Sequence, residues 1–181
     1  MSTSTTIIIL TALALLIALI FNRLISRKNQ LVFAFAAIDV QLKKRYYLIP
    51  NLVAICEKYL GYEHQTLQQI TAIRSQALQS GPQQQAPLDA QLSNQLRSVF
   101  ALSENYPELK AAEQFALLQR SLNEVEEQLA AARRAFNAAV FAYNNAIQMF
   151  PGNLAARLLG YQEKPSFEIQ QAEREPIKIW S

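Results

Sequence analysis

The sequence predicts an all-α protein: an N-terminal transmembrane helix followed by a helical bundle that contains one long C-terminal helix. Three observations carry this reading. Ala, Leu and Gln dominate the 181 residues while glycine occurs only four times, a composition rich in helix formers and poor in the turns a sheet needs. No charged side chain lies between Met1 and Asn22. From Leu31 onward, apolar residues recur at helical spacing. With 51% hydrophobic and 17% charged residues, the chain also lies far from the composition of disordered proteins.

The membrane segment comes first. Ile7–Phe21 reads IIILTALALLIALIF, and Thr5 and Thr6 extend it. About 17 residues is the short end of a spanning helix. A cleavable signal would begin with basic residues and end at a small-x-small site. Here no Lys or Arg precedes the run, and it closes on Leu19-Ile20-Phe21. The expectation is an uncleaved anchor. Arg23, Arg27 and Lys28 follow at once, and by the positive-inside rule they hold the body in the cytoplasm with Met1 outside. The single Cys suits a reducing compartment. Localisation is therefore expected at the cell inner membrane, as a single-pass protein.

The net charge of +3 is local in origin. Arg23, Arg27, Lys28, Lys43, Lys44 and Arg45 face Asp39 alone over residues 22–45, and the rest of the chain is slightly acidic. A nucleic-acid binder spreads a basic stripe over its folded body, so membrane lipid is the expected partner and nucleic acid is not. Arg23, Arg27 and Lys28 lie close enough to touch headgroups. Lys43 lies roughly 33 Å beyond Phe21 on a straight helix. The Lys43-Lys44-Arg45 group is therefore assigned to internal salt bridges or to a partner surface.

In the body, Leu31, Phe35, Ile38, Leu42 and then Ile49, Leu52, Cys56, Tyr59 keep a 4-3 rhythm that continues through Thr66, Ile70, Ile73 and Ala77. Pro50 predicts a break or kink near Tyr46–Pro50, because it removes a donor and crowds the preceding turn. Gly61 is a second, weaker breaker. Ser80 to Pro87 reads as a loop around a Gln run. A short helix is expected over 88–104, with Leu88, Leu92, Leu96, Val99 and Leu102 inward and Asn105-Tyr106-Pro107 as its stop. The strongest periodicity runs from Phe115 through Leu118, Leu122, Val125, Leu129, Ala132, Phe136, Ala139, Tyr143 and Ala146 to Phe150. It is a heptad seam about 57 Å long, read as one wall of an intramolecular bundle in preference to a coiled-coil dimer. Pro151-Gly152-Asn153 stops it, Leu154–Leu159 can form one more turn or two, and the tail from Gln162 is expected to be irregular. The segments are thus 1–22 anchor, 23–30 basic juxtamembrane stalk, 31–161 bundle and 162–181 tail.

The chemical inventory points away from catalysis. His64 is the only His, and Glu63-His64 lacks the second His of a HExxH zinc site. The four glycines are scattered, so there is no phosphate loop. Cys56 sits on the apolar stripe and reads as a packed thiol. Glu124, Glu126 and Glu127 read as a solvated helix face. No catalytic residue, cofactor or metal is expected. Extending the stripe from Leu52, Cys56 and Tyr59 places Glu63 near the core, where a carboxylate needs a partner. Arg133 and Arg134 beside Ala132 are the expected partners, with Arg74 next to Ile73 close by and Asn137 or Asn144 satisfying leftover oxygens. At the far end, Ile177, Ile179 and Trp180 alternate in an extended strip, read as a docking segment or a peptide offered to a partner.

These residues bring the chain to a known pattern. Phe21-Asn22-Arg23-Leu24-Ile25 is followed by Ile38-Asp39-Val40-Gln41-Leu42-Lys43-Lys44-Arg45-Tyr46 and Leu48-Ile49-Pro50-Asn51-Leu52-Val53. Further on come Thr66-Leu67, Ile70-Thr71, Arg74, Ala132-Arg133-Arg134, Phe136-Asn137, Tyr143-Asn144, Phe150-Pro151, Gly160-Tyr161 and Phe167-Glu168. Over about 21–168 the chain resembles the LemA family of bacterial membrane-anchored proteins. Tyr47, Phe35, Phe136 and Tyr62 depart from the family's usual Asp, Trp, Tyr and His. The resemblance implies a single anchor with its tail outside and a cytoplasmic up-and-down four-helix bundle. It implies no particular reaction. Some relatives look like organisers of membrane structures and others keep company with membrane proteases. The expected function is a non-enzymatic scaffold or adaptor that presents its bundle to protein partners or to further copies of itself. The alternative is a regulatory subunit or adaptor of a membrane protease or remodelling complex.

Overall fold

The computed structural model describes residues 3–59, 64–80 and 82–167, without the side chains of residues 64 and 82–85. Glu63, Ile177, Ile179 and Trp180 lie outside the described residues, as do Gly61, Tyr62 and the His64 side chain. The described chain is all-α: α1 Thr3–Tyr59, α2 His64–Gln79, α3 Pro82–Ser103, α4 Pro107–Ala111, α5 Glu113–Gln148 and α6 Gly152–Leu158. It divides into two units, one of Asp39–Leu129 and one of Met1–Ile38 with Ala130–Ser181.

Two expectations about the elements need correction. The break near Tyr46–Pro50 does not occur, because α1 runs through Pro50 as a single helix of 57 residues. Nor is 80–87 a loop, since α3 already begins at Pro82. Proline is favoured at the first helical position, where its missing N–H has no intrahelical partner to lose, and the Gln run that follows is a good helix former. Pro87 sits inside α3. The long-helix prediction over 112–149 is met by α5, and Pro107 opens α4 at its first turn.

In the Asp39–Leu129 unit, the buried apolar side chains include Leu42, Tyr46, Ile49, Leu52 and Cys56 of α1, Leu67, Ile70 and Ala77 of α2, Leu92, Leu96 and Val99 of α3, and Phe115, Leu122, Val125 and Leu129 of α5. Leu109 of the short α4 is fully buried as well. Phe100 of α3 meets Phe115 of α5 edge-on at 6.2 Å between ring centroids, the arrangement that the ring quadrupoles favour. Each helix buries one stripe, which is why its other face tolerates Gln and charge.

In the other unit, the core joins Leu24 and Leu31 of α1, Val140, Tyr143 and Ile147 of α5, and Ala155 and Ala156 of α6, with Ile20, Phe21 and Tyr161 packed against them. Leu24 belongs to the 23–30 segment expected to be a stalk, yet it is only 1% exposed. The residues on either side of it, Arg23 and Ile25, are exposed. Gly152 is needed at the α5–α6 corner, because a Cβ there would come within 2.2 Å of the Ala146 carbonyl oxygen. The heptad seam ends short of Phe150, which lies past the end of α5 and is 78% exposed. Gly160, with φ of 64°, closes α6 in a Schellman cap. Its N–H bonds Arg157 O at 3.2 Å and that of Tyr161 bonds Ala156 O at 2.9 Å. The chain then turns back along α5.

Candidate functional site: a buried arginine cluster, a tail clamp and a membrane segment

Arg45 is the polar centre of the Asp39–Leu129 unit. Its position continues the seam Ile38, Leu42, Arg45, Ile49, Leu52 of α1, so the helix turns the guanidinium inward, and it is 2% exposed. Its Nη1 lies 2.7 Å from Asp89 Oδ1, and Nη2 donates to Ser93 Oγ at 2.9 Å. Ser93 and Asp89 are one turn apart on α3, which places both on the face toward Arg45. Nη2 also lies 3.4 Å from Glu126 Oε2 of α5, while Ser93 Oγ donates to Glu126 Oε1 at 3.3 Å. One arginine therefore ties three helices together. A desolvated charge is tolerable only when paired and hydrogen-bonded in this way. Of the two expectations for Arg45, internal salt bridges or a partner surface, its burial and pairing meet the first and rule out the second. Its neighbours stay outside: Lys43 pairs with Asp39 at 2.8 Å, and Lys44 lies 3.7 Å from Glu124, both in largely exposed pairs. The hydrogen bond it donates to the Asp39 carboxylate holds the Lys43 ammonium above its ordinary range.

Arg74, expected near Glu63, which lies outside the described residues, reaches back to α1. Its Nε–H donates to the backbone carbonyl of Tyr46 at 2.7 Å. Tyr46 is four residues before Pro50, so its carbonyl is the one that Pro50 deprives of a helical partner. Arg133 and Arg134 belong to the unit of Ala130–Ser181 and lie half-buried and exposed respectively.

Asn137 and Asn144 clamp the chain that follows α6. Asn137 Nδ2 donates to Phe167 O at 3.1 Å and its Oδ1 accepts from Phe167 N at 2.8 Å. Asn144 repeats the pattern with Lys164, at 2.9 and 3.0 Å. Seven helical residues rise about 10.5 Å, and three extended residues cover nearly the same distance. Amides two turns apart can therefore each grip one residue of an extended strand, as a neighbouring strand would. Tyr143 Oη donates to Gln162 O at 3.2 Å, and Phe167 stacks edge-on against Phe136, which in turn meets Phe35. Burial and the adjacent Tyr161 push the Tyr143 phenol up from its ordinary value. The expected tail segment thus docks over 162–167, upstream of the strip containing Trp180.

The apolar run of α1 is exposed along its length, from Ile7 to Leu19. It is the one described helix long and apolar enough to cross a membrane, by length and composition. Thr11 hides its hydroxyl by donating to Ile7 O at 2.9 Å, which satisfies a polar group where water is absent. Arg23 and Lys28 are exposed just beyond, and the Lys28 ammonium sits 5.0 Å from the centre of the Tyr161 ring.

The sites contain little that reacts. Cys56 is fully buried and burial pushes its thiol up to about 11, away from the thiolate form that attacks. No group of three or more His, Cys, Asp or Glu stands ready for a metal among the described residues. An open cleft of about 440 Å³ between α1 and α2 is lined by Val53, Glu57, Leu67, Gln68, Thr71, Ala72 and Ser75. Glu57 is its only ionisable group.

Comparison with known proteins agrees with the resemblance. The LemA family model matches residues 34–180. Protein LemA of Metamycoplasma hominis is 26% identical over 157 residues, covering 84% of this chain and 71% of that protein. Magnetosome protein MamQ of Magnetospirillum gryphiswaldense is 30% identical over 89 residues, covering 49% of this chain and 33% of MamQ. Magnetosome protein MamQ 1 of Paramagnetospirillum magneticum matches to the same extent. The chain thus spans about a third of the length of these magnetosome relatives.

Proposed function

The chain belongs to the LemA family, and from that premise we propose that it is a non-enzymatic membrane-anchored scaffold, with its helical body on the cytoplasmic side of the inner membrane. The observation that carries the reading is α1 itself, one helix that begins as an exposed apolar segment and ends as a wall of the body. The polar groups that elsewhere would build a site are consumed internally: Arg45 by Asp89 and Ser93, Arg74 by Tyr46, Asn137 and Asn144 by the tail. Half the chain matches magnetosome proteins, which supports a structural role over a reaction. Orientation follows from Arg23, Arg27 and Lys28.

Purification of the full chain from membranes in mild detergent after cross-linking tests this. Recovery of oligomers of the chain, or of a non-catalytic membrane partner, agrees with a scaffold. A membrane protease recovered in stoichiometric amount, with its activity altered when the chain is deleted, would replace it with the regulatory reading.

A further inference from the structure

We infer that the α5–α6 corner is a second membrane contact, an apolar foot that rests in the lipid interface beside the anchor. The inference rests on the membrane reading of α1. Phe150, Leu154 and Leu158 follow one another at four-residue intervals and are all exposed, Leu158 at 82%. A seven-residue helix would not ordinarily show water both large aliphatic residues of its outer face. Its inner face explains where the outer one sits. Ala155 and Ala156 are buried in the same cluster as Leu24, with Ile20 and Phe21 packed against it. Ile20 and Phe21 are the last residues of the membrane run, and Leu24 is three residues, about 4.5 Å, beyond it. Gly152 lies beside the Leu24 side chain, within 3.8 Å of Cδ2 for a built Cβ. The corner is therefore held at the level where the anchor leaves the hydrocarbon.

Two further features select lipid as the occupant. The run from Thr5 to Phe21 spans only about 26 Å, short of a hydrocarbon core of about 30 Å. Such a mismatch draws flanking residues toward the interface. The foot supplies apolar surface where the anchor falls short. Arg157 on α6 and Arg23 on α1 are exposed, placed to meet anionic headgroups as the basic residues of interfacial helices do.

The test uses the full chain in vesicles of phosphatidylcholine and phosphatidylglycerol, with one cysteine added at a time by Leu13→Cys, Leu154→Cys, Leu158→Cys or Phe33→Cys. All four positions are exposed, so a fluorescent label there leaves the core intact, and buried Cys56 does not compete. Quenching is read with lipids carrying a nitroxide near the headgroup or near the chain terminus, and with aqueous iodide. Labels at 154 and 158 should lose fluorescence to the shallow nitroxide, at a depth of about 5–10 Å, and be shielded from iodide. The label at 33 should respond to iodide alone and the one at 13 to the deep nitroxide. Quenching of 154 and 158 by iodide and not by lipid overturns the foot while leaving the anchor in place. Shielding of both from lipid and iodide means a protein covers the face and also overturns it. Failure of the label at 13 to meet any lipid nitroxide overturns the anchor and the foot together.

Discussion

The Nε–H of Arg74 donates to the backbone carbonyl of Tyr46 across 2.7 Å, in the place of the N–H that Pro50 lacks. A proline in mid-helix leaves the carbonyl four residues back without its partner, and an orphaned buried carbonyl costs about 1–3 kcal/mol. Here a side chain from α2 meets it, and α1 continues through Pro50.

A double-mutant cycle measures this relation. Arg74→Met should destabilise the protein by about 1–3 kcal/mol in urea unfolding. In a Pro50→Ala background the helix regains its own donor, and the same substitution should cost clearly less. Equal losses in the two backgrounds would show that Arg74 acts through packing alone.

The Arg45 cluster separates buried from half-exposed partners. Arg45→Met leaves Asp89, itself 1% exposed, buried without its cation, a loss of about 3–5 kcal/mol. Glu126 is 45% exposed, so Glu126→Ala should cost no more than about 1 kcal/mol. Replacing both charges, as Arg45→Met with Asp89→Leu, should recover much of the single-mutant loss. Chemical denaturation of the three variants checks the order.

How much of this was legible in the sequence is clearest at Arg45. The apolar seam on α1 runs Ile38, Leu42, then Ile49, Leu52, with a gap at the position Arg45 fills. On α3 the apolar pattern includes Leu88 and Leu102, which are half-buried, whereas Asp89 and Ser103 hold the buried positions. An apolar alphabet skips polar residues in a seam, although two skipped positions of opposite charge are themselves a signal of a buried pair. The long helix α5 was legible because its periodicity is strong, and the continuity of α1 was not, because the compensating donor lies 24 residues further on. The sequence leads one to expect Asn137 or Asn144 to satisfy oxygens beside Glu63, and nothing local reveals that both grip the backbone of Phe167 and Lys164. The Glu63 pairing falls on a residue outside those described.

The clamp predicts a local effect. Asn137→Ala should speed hydrogen exchange at the Phe167 amide roughly 2- to 10-fold, the equivalent of one lost hydrogen bond, with little change in α1. Asn144→Ala should do the same at Lys164. Asn137→Asp keeps the acceptor for Phe167 N–H but places charge against its carbonyl, and should not restore protection fully. Unchanged exchange at residue 167 would mean that the Phe136–Phe167 contact alone holds the segment.

Cys56 gives a pH dependence. Its folded pKa of about 11 exceeds the ordinary 9.0, so the folded state holds the thiol proton more tightly than the unfolded chain. The contribution is complete below about pH 9 and is lost as pH rises toward 11, a change of about 1–3 kcal/mol. Cys56→Val should lack this part of the alkaline decline, seen as a narrowing stability difference between the two proteins over that range.

The most direct test of the central claim, a single anchor that holds the body at the cytoplasmic face, is a pair of C-terminal fusions after Ser181. A fluorescent protein fused there should glow, alkaline phosphatase fused there should be inactive, and both fusions should stay in the membrane pellet after an alkaline carbonate wash. Active phosphatase, or release of either fusion into the wash, would contradict it.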